Sequence, residues 1–203
     1  LRRIGVLAAA GVFPAGQAAA HAFQGGADGY AQFVEGASVI LTYPGILLPI
    51  LALGVAVSLW DTEGLPRVWP YALAGQVAGI FAASVVGVWV AVAFMGLGVV
   101  VAALAALWPG NQRGVIAGLV GLTGLGAIAA SLEGHGLFEL PLMIHLGILF
   151  GANLVLAAAS GASALAMERV PAEWMRIGWR VVASWIGAIL VLFLAFSLRA
   201  GVS

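Results

Sequence analysis

The segment Ser131-Leu-Glu-Gly-His-Gly-Leu-Phe-Glu-Leu-Pro141 places Glu133, His135 and Glu139 among glycines between two apolar runs, and His145 follows six residues after Glu139. Imidazole and carboxylate together suit a borderline or hard divalent cation such as nickel, cobalt, zinc or manganese. These four side chains are therefore a candidate metal set, with His21 near the N-terminus as a fifth. The same residues have a structural use, in which His135 and Glu139 cap and orient a helix beginning at Pro141. His145 could relay a proton or bind a cation, or could instead hydrogen-bond to a neighbouring helix. Both uses are open from the sequence.

Other polar side chains interrupt long apolar runs, where an uncompensated polar group is expensive. They are Thr42, Tyr43, Gln76 and Asn153, and they are candidates for lining a path. His145 and Asn153, eight residues apart, share one helical face. Enzyme signatures are weak. The chain has no cysteine and no His-Glu-x-x-His sequence, and Ser160 lacks the preceding glycine of a nucleophile turn. Ser160 and His145 stand roughly 22 Å apart along one helix, too far for a dyad. The expectation is a protein that is not an enzyme and has no resident organic cofactor, with a divalent metal as the candidate ligand.

The elements that must position these groups follow from composition. Of the 203 residues 63% are hydrophobic and 8% are charged, against about a quarter charged in soluble domains. The formal net charge is zero, with arginine but no lysine, so the basic surface needed to bind nucleic acid is missing. A lipid bilayer is the expected partner. Apolar runs at 38–60, 69–87, 90–108, 114–131, 141–166 and 178–198 are each long enough to cross it or nearly so, and none alternates as barrel strands do. The fold expected is all-α, a polytopic membrane bundle of six transmembrane helices plus an N-terminal signal or leader helix.

Residues 1–22 read as that leader, with Arg2 and Arg3 ahead of a short apolar stretch and Ala-x-Ala sequences; 23–203 form the membrane domain. If Arg2 and Arg3 are cytoplasmic, alternation puts Arg67, Arg113, Arg169, Arg176 and Arg180 on the same side and only Arg199 outside. The segments 23–36 and 132–140 are then outer loops, and Trp174 and Trp179 suit the inner headgroup level. Gly75–Gly79, Gly114–Gly118 and Gly147–Gly151 have the spacing that lets helix backbones approach closely.

Ala19-Ala20-His21, Leu47-Leu-Pro-Ile-Leu-Ala-Leu-Gly54, Ser58-Leu-Trp60, Leu65-Pro-Arg-Val-Trp69 and His135-Gly-Leu-Phe-Glu-Leu-Pro141 occur in an order that resembles the HupE/UreJ hydrogenase/urease accessory family. The resemblance implies a multi-pass protein of the bacterial inner membrane that handles nickel or cobalt, with periplasmic outer loops. The family's first-span His-Pro…Asp-His signature is missing, since Val39 to Ile46 contains neither histidine nor acid. The His135–Pro141 segment alone also resembles stage II sporulation protein M-type membrane proteins. Two functions stand side by side: a divalent-cation permease or metal-handling accessory protein, and a non-catalytic integral membrane subunit packing against a larger membrane complex; other membrane subunits and a homo-oligomer are the protein partners expected.

Overall fold

The computed structural model describes residues 28–200, apart from 88, 111, 137 and 138. The expected leader over 1–22, His21 with it, lies outside the described residues. Among the described residues, seven α-helices follow in order: α1 Gly29–Thr42, α2 Pro44–Trp60, α3 Gly64–Ala83, α4 Val90–Leu107, α5 Arg113–Ser131, α6 Leu142–Arg169 and α7 Glu173–Ala200. No strand occurs among the described residues. The helices α4, α5, α6 and α7 are each long and apolar enough to cross a membrane, and α1 and α2 qualify together as a bent pair. The helix α3, diluted by Arg67, Pro66, Pro70 and Gln76, is outside that set.

The expected first span, 38–60, is two helices that meet at 73°. Pro44 occupies the first turn of α2, where its missing N–H costs nothing. Its ring forces the preceding residue out of the helical region, and Tyr43 is accordingly extended at φ −98°, ψ 106°. Residues 29–36, expected in an outer loop, form the start of α1, capped by the Asp28 carboxylate accepting from Ala31 N–H at 2.7 Å. Three other boundaries differ from expectation. The helix α3 begins at Gly64 and ends at Ala83, short of 69–87. The helix α6 runs on to Arg169, and α7 already begins at Glu173, so Trp174 and Arg176 are helical.

Despite the bend, α1 and α2 track the same neighbour. Gly36 and Gly147 bring α1 against the first half of α6, at Ile144 and Phe33 respectively, while Gly54 brings α2 against Leu156 and Ser160 farther along. From Gly36 at Ile144, through Ile40 at Gly151, to Gly54 at Leu156, sequence numbers rise together, so the bent pair follows α6 in the same direction. The helices α3 and α5 are a second parallel pair, joined where Gly75 meets the Gly121 carbonyl and Gly124 meets that of Ala72. Most of α2 is buried, and it packs on α4, α5, α6 and α7 as the axis of the bundle. Two arginines of α7 close one end: Arg176 donates to Leu59 O at 2.8 Å and Arg180 to Ala106 O at 2.7 Å. They satisfy carbonyls at the last turns of α2 and α4 that have no partner within their own helices.

Gly75–Gly79 and Gly147–Gly151 thus lie in tight contacts, whereas Gly114 and Gly118 face open space. A Cβ at position 75 would run into the Gly121 backbone carbonyl, which cannot rotate aside. We expect Gly75→Ala to cost about 1–3 kcal/mol. Gly118→Ala should instead be neutral or stabilising by up to about 1 kcal/mol, because alanine favours a helix more than glycine does. Thermal unfolding of the two variants in the same detergent checks the opposite signs.

Candidate functional site

The loop after α5 turns at Leu132–Gly134, where Gly134 takes a positive φ of 80°. Backbone groups then occupy the side chains that follow. His135 Nδ1 lies 3.2 Å from the Glu133 carbonyl, and Glu139 accepts from Gly136 N–H at 2.7 Å. The Glu133 carboxylate reaches across to the Ala91 N–H in the first turn of α4. Burial pushes its pKa above the ordinary glutamate value, and the Ala91 bond offsets part of that rise. His145 Nδ1 is 3.2 Å from Pro141 O, one turn back on α6. Its ring lines an apolar groove of about 410 Å³ with Ile80, Phe81, Leu140, Leu142, Leu146 and Leu149.

Among the described residues, no three histidine, aspartate or glutamate side chains come together as an ion would require. Glu133, His135, Glu139 and His145 are neighbours in sequence, yet the contacts described hold them to backbone groups, chiefly of their own segment. The Thr42 hydroxyl donates to Ser38 O at 2.7 Å on an exposed face, and Tyr43 is exposed at the α1–α2 break.

Gln76 and Asn153 do meet. Asn153 Nδ2 donates to Gln76 Oε1 and to Leu149 O, both at 2.8 Å, and Asn153 Oδ1 accepts from Trp69 Nε1 at 2.8 Å. The result is a belt of neutral donors and acceptors joining α3 to α6 inside the bundle. The sequence reading missed Trp69, although its position seven residues before Gln76 places both on one face of α3. It also missed the hydroxyl pair Ser58–Ser163, 2.6 Å apart between α2 and α6, and the buried Thr123 on α5. Small hydroxyls in apolar helices give no pattern that separates them from packing residues.

The belt can align helices and present fixed dipoles; amide and indole groups do not ionise near neutral pH. The acids, arginines and His135 described above lie at the helix ends, so the charged chemistry is at the rims and the neutral polar chemistry is in the interior. Comparison of the chain with protein-family models, with curated proteins and with solved structures finds no match.

Replacing Asn153 by leucine removes the partner of Trp69 Nε1 and of Gln76 Oε1 together. Interhelical hydrogen bonds in membranes contribute about 0.6–2 kcal/mol each, so Asn153→Leu should lower stability by about 1–3 kcal/mol, measured by reversible unfolding in mixed micelles. Glu133 gives a signed pH test. Its folded-state pKa is raised, so ionisation penalises the folded protein: the penalty is missing below the unfolded pKa and sets in as pH rises through the folded one. Glu133→Gln should therefore be more stable than the parent at pH 7. The difference should vanish near about pH 4, which melting curves at the two pH values would reveal.

Proposed function

We propose that the chain is an integral membrane protein of six spans, α1–α2 forming one broken span and the less apolar α3 another, that acts as a non-catalytic subunit of a larger membrane assembly. The observation that carries this reading is the outer face of α7. Trp185, Ile189, Leu192 and Phe196 recur at helical spacing along it and are all exposed, Trp185 at 67%. Tryptophan in a span prefers the headgroup level, the level suited to Trp174. Trp185 lies about 7–8 Å beyond Arg180 along the helix, inside the hydrocarbon, where its N–H has no water to bond. A partner helix that offers an acceptor and grooves for the four side chains fits that stripe better than acyl chains do.

A second reading, a divalent-cation permease or metal-handling accessory protein of the HupE/UreJ type, is favoured by the Gln76–Asn153 contact. Two side chains anticipated on a path are side by side in the bundle interior, and the His135–Pro141 loop tops the outer end of α6. Both readings share a topology. The ends bearing Arg67, Arg113, Arg169, Arg176 and Arg180 belong inside a bacterial inner membrane, and the 132–140 loop outside.

Purification of the full chain from its native membrane in mild detergent, with identification of co-purifying chains and measurement of bound nickel, cobalt and zinc, separates the two readings. The subunit reading expects a stoichiometric partner whose recovery falls at least about tenfold in Trp185→Leu, equivalent to about 1.4 kcal/mol, while the melting midpoint of the isolated protein is unchanged. Metal at one equivalent, lost in Glu139→Gln and kept in Glu168→Gln, with no partner recovered, would replace it with the permease.

A further inference from the structure

Thr123 differs from several of the helix hydroxyls described. Thr42, Ser131, Ser163 and Ser197 each donate to the carbonyl one turn back on their own helix, at 2.6 to 2.9 Å. Thr123 is 2% exposed, and its Oγ1 has no hydrogen-bond partner in the protein. It borders a small cavity of about 10 Å³ lined by residues of α2, α3, α5 and α6, with Ile50, Leu53, Ala72 and Ala127 among its apolar walls. Gln76, also 2% exposed, is its other polar side chain. The Gln76 carbonyl oxygen accepts from Asn153, so the NH2 group is the part of this side chain left to serve as a donor.

We infer that this cavity is a binding site for one water molecule, held between Gln76 Nε2 and Thr123 Oγ1. The volume is at the size that admits a single water, and two polar partners meet the minimum that an internal water needs. A second molecule has no room, because Gly124 presses α5 onto α3: a Cβ there would lie 2.6 Å from Ala72 O and 3.3 Å from Gln76 N. A cation is a poor occupant, since none of the lining side chains is charged. Bound water extends the belt into one chain, Trp69–Asn153–Gln76–water–Thr123, and so ties α5 to the α3–α6 contact. This inference is independent of the partner or cargo proposed above.

The sign of one nearly isosteric substitution tests it. An unpaired hydroxyl in a dry cavity is a penalty, and its removal is neutral or stabilising; a hydroxyl that holds a water is a bond, and its removal destabilises. The full-length protein in lipid nanodiscs, as parent, Thr123→Val and Thr123→Ser, is compared by thermal unfolding and by high-resolution density at the cavity. Expected are a single water peak in the parent and in Thr123→Ser, its loss in Thr123→Val, and a midpoint about 2–4 °C lower in Thr123→Val. Thr123→Val folds with the volume of the parent, so failure to fold does not obscure the reading. An empty cavity in the parent with an equal or higher midpoint in Thr123→Val overturns the inference, as does a water peak that persists in Thr123→Val.

Discussion

The bundle depends on backbone contact between helices. In lipid, two apolar helices gain little by hiding leucine from acyl chains, so association rests on dispersion at close range and on interhelical hydrogen bonds. Glycine supplies the range. Gly36 against Ile144 and Gly147 against Phe33 bring α1 to α6, and Gly75 against Gly121 brings α3 to α5, each at a carbonyl with no space for a Cβ. Both pairs are parallel, and α2 fills the space between them with its buried side chains. The looser contact of α4 with α7 uses Gly98 and Gly187 in the opposite sense, since residue numbers on α4 rise as those on α7 fall.

The break at Tyr43–Pro44 follows from the same constraint. A single straight helix over 29–60 would be about 48 Å long at 1.5 Å per residue, longer than the hydrocarbon core of about 30 Å. Bending lets α1 lie along the first half of α6 while α2 turns into the centre of the bundle, where it meets the second half of α6 and also α4 and α7. Proline permits this at little cost because the N–H it lacks is one that a helix start leaves free. Pro49, inside α2, contributes again: it fits against Gly98 of α4, where a side chain would clash.

Much of the helical organisation was legible because bilayer-length apolar runs separated by charged turns admit few other folds. The break was not, since Val39 to Ile46 is apolar on both sides of it and hydropathy is blind to a change of direction. The start of α1 was hidden for the opposite reason: Gln32 and Glu35 make 29–36 polar, although Asp28 is a sound cap. At the site, Gln76 and Asn153 were recognisable from the cost of amides in hydrocarbon, and the helical face of Trp69 was available but unread. In the outer loop, Glu133, His135 and Glu139 are near in sequence, but among the described residues they do not form a group of three possible ligands. Glu139 accepts from Gly136 N–H three residues away, and Glu133 from the Ala91 N–H in the first turn of α4.

Those satisfied carboxylates and the amide belt express one rule at two depths. At the rim, where water competes, a carboxylate on a backbone N–H helps fix a helix end, as Glu133 does for α4, and Arg176 and Arg180 do the converse for the carbonyl ends of α2 and α4. In the interior, charge is too costly, and the same task passes to neutral groups that can donate and accept at once. Asn153 suits this better than serine or threonine, because one planar amide takes the Trp69 proton on its oxygen while giving protons to Gln76 and to Leu149 O. A serine hydroxyl has one proton to give, and on a helix it commonly goes to the carbonyl one turn back, as in Ser131. A belt that links α3 to α6 therefore calls for amides, and its value to the bundle is directional. The glycine contacts set how near the helices come, while the amides select the register in which they stop.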